Sequence, residues 1–281
     1  MRLKECYNPP MQRGFTLVEL SIVLVILGLL VGGILAGRSL IKAGELRAIG
    51  QEYSKYRTAT FAFKDKYFQP PGDLSNATQF WGVAAGDGSD ATCRAFESTG
   101  TETCNGNGNG LVEQTNPHRE HLRFWQHLAN AGLIDGKYTG ALSSTATDNA
   151  NVTPNNHPLS KYPKGMWTTR AYNVSAGNGQ LPDGNYNVNH FEYGAYNVSH
   201  ANNWPSLREL LTPEDTWNVD VKLDDGMPLT GKVIGRSPNG WNNGSGTLNT
   251  CTLAQNSTDI NANYALTVTT RQCTLYFMAG F

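Results

Sequence analysis

The chain has 281 residues, a formal net charge of −1 and 16% charged residues. That balance gives no electrostatic footprint for nucleic acid and no strong case for anionic lipid surfaces. The length suits one domain with an appended helix, and the 30 glycines, with abundant asparagine, indicate many turns after the N-terminal third.

The first long element is apolar. The run Phe15–Gly37 carries Glu19 as its only charge. As a helix rising about 1.5 Å per residue it is long enough to cross a bilayer core of about 30 Å. A cleaved secretory signal has a shorter apolar region and a small-residue cleavage site, whereas here the helical pattern continues without a polar junction. From Arg38 it becomes amphipathic: Leu46, Ile49, Tyr53, Tyr56, Thr60, Phe63 and Tyr67 recur at alternating spacings of three and four. No proline interrupts between Met11 and Pro70. The pattern predicts one helix from about Phe15 to about Tyr67, anchored in a membrane by its first half and packed on a domain along its second. It stops at "QPPGD". Lys and Arg are balanced around the run (Arg2, Lys4 and Arg13 before, Arg38, Lys42 and Arg47 after), so the positive-inside rule does not orient it.

Residues 83–110 read as a polar, glycine-rich loop. A second helix is predicted at about Arg119 to Ala131, with Gly132 as its C-cap. Residues 141–160 read as an exposed loop. The triplet "YNV" then recurs at 172–174, 186–188 and 196–198 and suggests short antiparallel strands. At "LTPED", Thr212 fits an N-cap with Pro213 at the first helical position. "WNVDVKL" alternates and reads as a strand ending at Asp224-Asp225-Gly226. A last strand pair is expected around 249–254 and 264–277. The soluble part is thus expected to be α+β, an antiparallel sheet packed on the long helix.

Cys6 precedes the apolar run, and Cys93, Cys104, Cys251 and Cys273 follow it. An even four suits two disulfides in an oxidising compartment, each worth roughly 3 kcal/mol, and so a periplasmic or extracellular C-terminal part. Four cysteines allow three connectivities, which spacing alone does not decide. Local pairing, Cys93 with Cys104 and Cys251 with Cys273, is the expectation carried forward. No CxxC spacing suggests a zinc knuckle.

The residues "RGFTLVELSIVLVILGLL" closely resemble the class III signal of type IV prepilins and type II secretion pseudopilins. The resemblance implies cleavage after Gly14 on the cytoplasmic side by a prepilin peptidase, which also N-methylates the new terminus, Phe15. It implies that the apolar helix stays as anchor and becomes the filament core, and that Glu19 is the acidic residue the family uses in assembly. It divides the chain into a leader (1–14, with Met11 as a possible start), a transmembrane half-helix (15–37) and a soluble pilin-like domain (38–281). "KYFQPPGDLSNATQFWG", "RFWQHLANAGLIDGKYTG" and "LTPEDTWNVDVKLDDGMPLTGKVIG" resemble segments of large prepilin-like proteins. The Cys251–Cys273 pair is similar to the disulfide-closed terminal region of type IV pilins. The implied partners are other pilin or pseudopilin subunits, the peptidase and methyltransferase, the inner-membrane assembly platform and membrane lipid.

Chemistry-bearing motifs are few. Asn105, Asn107 and Asn109, with Glu113 as the added charge, space oxygens like the start of a calcium loop, and related pseudopilins hold a loop with Ca2+. The twelfth position is Asn116 rather than a bidentate Glu, so a glycine-rich turn is the competing reading. Asp220, Asp224 and Asp225 form a second acidic group, read as a solvated turn. His118, His121 and His127 lie in or beside the second helix without an HExxH frame and are expected at the surface. No nucleophile elbow or P-loop occurs. The expected role is therefore structural rather than enzymatic: a minor subunit of a type II secretion pseudopilus or type IV pilus in the bacterial inner membrane. The alternative is a tip adhesin using the Tyr/Trp/Asn-rich region, including Tyr186, Tyr193, Trp204, Trp217 and Trp241. An anchored periplasmic hydrolase is the least favoured reading.

Overall fold

Helix α1 spans Leu17–Tyr67 in the computed structural model. The structure describes residues 14, 16–89, 93, 98, 100–113, 119–140, 154–171, 188–196, 208–237, 250–254 and 259–281. The chain divides into two units, Met1–Gly44 and Glu45–Phe281.

In the first unit, Leu17 through Ala36 are exposed, and this helix is long and apolar enough to cross a membrane. An apolar surface of this extent is normally covered by lipid or by other chains.

In the second unit, α1 buries Leu46, Ile49, Tyr56, Thr60 and Phe63 of the expected stripe, with Tyr53 and Tyr67 half-buried, and it also buries Ala48, Ala59 and the charged Glu52. The helix ends where Phe68 adopts a positive φ of 62°, its N–H donating to the Lys64 carbonyl at 2.7 Å. Pro70 and Pro71 follow, then Gly72 at φ 85°. A Cβ on Gly72 would lie 2.4 Å from the Glu120 carbonyl oxygen, so both the turn and the close packing require glycine.

The sheet consists of β1 (Gly165–Ala171), β2 (Asn189–Ala195), β3 (Val233–Arg236) and β4 (Thr274–Met278), in the order β1-β2-β4-β3 with every pair antiparallel. Its inner face meets α1 through aromatic rings. Tyr53 stacks on Phe277 at 4.5 Å and Tyr56 meets Trp167 edge-on at 5.6 Å, while Trp125, from outside the sheet, meets Tyr56 edge-on at 5.0 Å. Among the described residues three short helices accompany the sheet: α2 (Ala77–Trp81), α3 (Glu120–Asn130) and α4 (Pro213–Leu223). The cysteines pair locally, Cys93 with Cys104 and Cys251 with Cys273. The α+β architecture and the second helix agree with the sequence reading.

Two expected strands do not form. "WNVDVKL" is the body of α4, not a strand. Thr212 caps that helix by accepting from Asp215 N–H, Pro213 opens it, and Glu214 and Asp215 complement the N-terminal dipole. Its buried positions, Thr216, Val219 and Asp220, keep helical spacing, and the alternation of Trp217, Val219 and Val221 is incidental. The expected pairing of 249–254 with 264–277 reduces to one bridge, Thr252 to Tyr264, while β4 pairs with β2 and β3 instead. Most of the Tyr-Asn-Val repeats lie outside the described residues. Val188 and Tyr196 flank β2 rather than forming strands.

Candidate functional site

The helix start is built from Thr16 and Glu19. Glu19 Oε2 accepts from Thr16 N–H at 2.8 Å and from Thr16 Oγ1–H at 2.9 Å, and Thr16 Oγ1 accepts from Glu19 N–H at 3.2 Å. This is a reciprocal capping box: a threonine before the first turn and a glutamate three residues on satisfy donors that the helix leaves open. The sequence reading gave Glu19 an assembly role and did not use the Thr-x-x-Glu pattern that announces this cap. Gly14 is exposed, with nothing within 4 Å of where a Cβ would lie. Phe15 lies outside the described residues.

The Asn105–Glu113 loop is held by two carboxylates from elsewhere. Asp73 accepts from the N–H groups of Gly108, Asn109 and Gly110 at 2.7, 3.1 and 2.8 Å. Glu120 accepts from Asn107 and Glu113 N–H, both at 2.9 Å. Burial pushes the Asp73 carboxyl above its ordinary pKa, opposed by these N–H groups and by a hydrogen bond with Glu120. The asparagine oxygens serve the backbone: Asn105 Oδ1 accepts from Thr78 N–H, Asn107 Oδ1 from Asn109 N–H, and Asn109 Oδ1 from Leu111 N–H. Their amide nitrogens are then turned the other way, and those of Asn107 and Asn109 donate to Glu113 Oε2 at 2.6 and 3.2 Å. The four side chains therefore do not present converging oxygens, and the arrangement does not fit a calcium ion.

Asp220, Asp224 and Asp225 do lie together, with carboxylate oxygens within 4.8 Å of one another. Asp220 is fully buried rather than solvated, accepting from Tyr264 Oη–H at 2.7 Å and Gly226 N–H at 3.3 Å. Burial pushes its pKa up to about 7, against those two bonds, with the neighbouring aspartates adding to the rise. Asp224 accepts from Lys232 and Val233 N–H, and Asp225 from Met227 N–H and Thr230 Oγ1–H. These carboxylates tie the end of α4 to the start of β3.

The histidines correct another expectation. His121 and His127 are buried, not at the surface, and His118 lies outside the described residues. His127 Nδ1 accepts from Gly72 N–H at 2.9 Å and its Nε2 meets Thr103 Oγ1 at 2.9 Å. Burial, aided by Arg123, pushes its pKa down to about 3. Of the aromatics suggested for glycan contact, Tyr193 is buried and Trp217 exposed. Tyr186, Trp204 and Trp241 lie outside the described residues.

A family model described as the prokaryotic N-terminal methylation motif matches residues 9–35. No curated protein and no solved structure matches the chain. The matched segment holds Gly14, Thr16 and Glu19 and most of the exposed apolar part of α1. Motif and apolar N-terminal helix together fit a prepilin-type protein.

Proposed function

We propose that this pilin-like chain is made as a single-pass inner-membrane precursor, cut after Gly14, methylated on Phe15 and built as a minor subunit into a type II secretion pseudopilus or type IV pilus. The supporting observation is the methylation motif lying across a capped, exposed, apolar helix start. Such a helix surface is stable in lipid and, after extraction, in a bundle of like helices. The two disulfides suit a periplasmic location for the second unit. Its long connections favour a minor position over a repeating shaft. The partners are then other pilin-type subunits, the prepilin peptidase and the assembly platform.

Mass spectrometry of the mature N-terminus tests this reading. The expected product begins at a methylated Phe15. A retained leader, or a terminus elsewhere, defeats it. Deletion then separates the machines: loss of secretion indicates a pseudopilus, and loss of twitching or attachment a pilus. Calcium would require the Asn105–Glu113 loop to give up its present bonds. Melting of the full chain with calcium and with EDTA tests this, and an EDTA-insensitive midpoint ends the calcium reading.

A further inference from the structure

Among the described residues four histidines are fully buried: His121, His127, His157 and His190. His127 has both ring nitrogens engaged, and His190 sits against Glu192 and the Val188 carbonyl. His121 and His157 differ. Each has Nδ1 facing an oxygen, the Glu113 carbonyl at 3.4 Å for His121 and Asn156 Oδ1 at 2.5 Å for His157. An oxygen facing Nδ1 places the proton there and leaves Nε2 with a free lone pair. Both Nε2 atoms are buried and make no hydrogen bond. The two rings are neighbours, with centroids 6.2 Å apart and planes inclined by 39°.

That pattern is costly for a purely structural pair, because a buried acceptor without a partner has given up its bonds to water and gained none in return. It is also the arrangement in which imidazoles bind metals: Nδ1–H fixed by an oxygen, Nε2 open. A metal–imidazole bond of about 2.0 Å plus the ~1.1 Å from ring nitrogen to centroid puts two rings on one ion at most about 6.2 Å apart, in a near-linear arrangement. We propose that the Nε2 atoms of His121 and His157 jointly bind one Cu(I) ion.

The charge of the site selects the ion. No third His, Cys, Asp or Glu closes on the pair among the described residues, which disfavours zinc with its four ligands. Arg119 and Arg170 lie near enough to His121 to oppose its protonation, only partly offset by Glu192. In that field a monocation is less costly than a dication. Burial lowers the pKa of both rings, so they stay neutral as ligation requires.

The test uses the full chain in detergent, carrying Cys6→Ser so that the leader thiol does not compete. It is titrated anaerobically with Cu(I) held by a colorimetric chelator. The expected result is withdrawal of one copper per chain, lost in His157→Gln and in His121→Gln. Because either variant can misfold, the copper-bound parent is also measured by X-ray absorption, where two imidazole nitrogens and no sulfur are expected. In 15N-histidine spectra of the same sample, the Nε2 signals of His121 and His157 should move and those of His127 should not. Copper left on the chelator, sulfur bonded to the copper, unmoved His121 and His157 signals, or an ordered water bridging the two rings in copper-treated crystals would each overturn the proposal.

Discussion

Trp167 Nε1 donates to Glu52 Oε2 at 2.8 Å, while Glu52 Oε1 accepts from Lys161 N–H at 2.7 Å. One buried carboxylate on α1 thus holds both β1 and the segment leading into it. A carboxylate in an aromatic interior is tolerated only because donors meet both its oxygens. Glu52→Ala leaves the indole N–H and a backbone N–H unsatisfied. We expect a loss of about 2–4 kcal/mol, read as a lower melting temperature of the full chain in detergent. Melting within a degree or so of the parent would mean the clamp is redundant.

Acid should unfold the second unit early. The four buried histidines all have pKa values lowered by burial, those of His121 and His127 to about 3. Unfolded, each takes up a proton near its ordinary value of about 6.5, so stability falls as pH drops from there toward the folded values. Glu192 acts in the same direction. Although burial alone would raise it, Arg170 and His190 hold it at about 2, so its contribution is present above its ordinary range and lost as pH falls toward 2. Circular dichroism melts should show a fall in stability between about pH 6.5 and pH 4, where the unfolded histidines take up protons, and a flat profile over that range would contradict the buried-neutral histidines.

Asp220 has the opposite slope. Its folded pKa of about 7 exceeds the unfolded value near 4, so the folded state holds the extra proton between the two. Its contribution weakens as pH rises through that window and is least favourable above it. Asp220→Asn keeps an acceptor for Tyr264 and removes the titration. The variant should gain on the parent as pH rises from 5 to 8, and a constant difference between them would show that Asp220 does not titrate there.

Glu19→Ala and Thr16→Val remove opposite halves of the capping box. Both should insert and be processed, since the apolar run is unchanged. If the cap alone matters to assembly, the two lose incorporation into filaments alike. We expect Glu19→Ala to be the more severe, because it also removes the only charge of the apolar run, to which the prepilin resemblance gives a role in assembly. Quantitative blotting of sheared filaments gives the ratio, and normal incorporation of Glu19→Ala removes the assembly role.

Much of α1 was legible because its two periodic regimes are long: uniform apolarity first, a three–four stripe afterwards. The second helix and the Thr212–Pro213 cap were legible from local chemistry. What the sequence hid was tertiary. Trp217, Val219 and Val221 satisfy strand and helix patterns alike, and capping at Thr212 with burial of Thr216, Val219 and Asp220 decides between them. The "GMWTTRA" of β1 has no clear alternation and becomes a strand by pairing with β2. "QPPGD" read as a turn, with nothing to announce that Asp73 would gather three N–H groups of a loop about 35 residues on. Polar residues buried by distant partners, Glu52 and His127 among them, carry no local signature. The Thr16–Glu19 cap does carry one, the Thr-x-x-Glu spacing, although the sequence reading took Glu19 for its charge and its role in assembly alone.

The position of that cap relative to the Gly14–Phe15 bond has a consequence for maturation. Every atom of the capping box lies on the C-terminal side of the bond. Under the proposed cleavage at that bond, removing the leader takes nothing away from the first turn, and the mature helix is as well terminated as the precursor's. The proposed cut then acts as a change of charge and bulk ahead of a finished structural element, rather than as a refolding event.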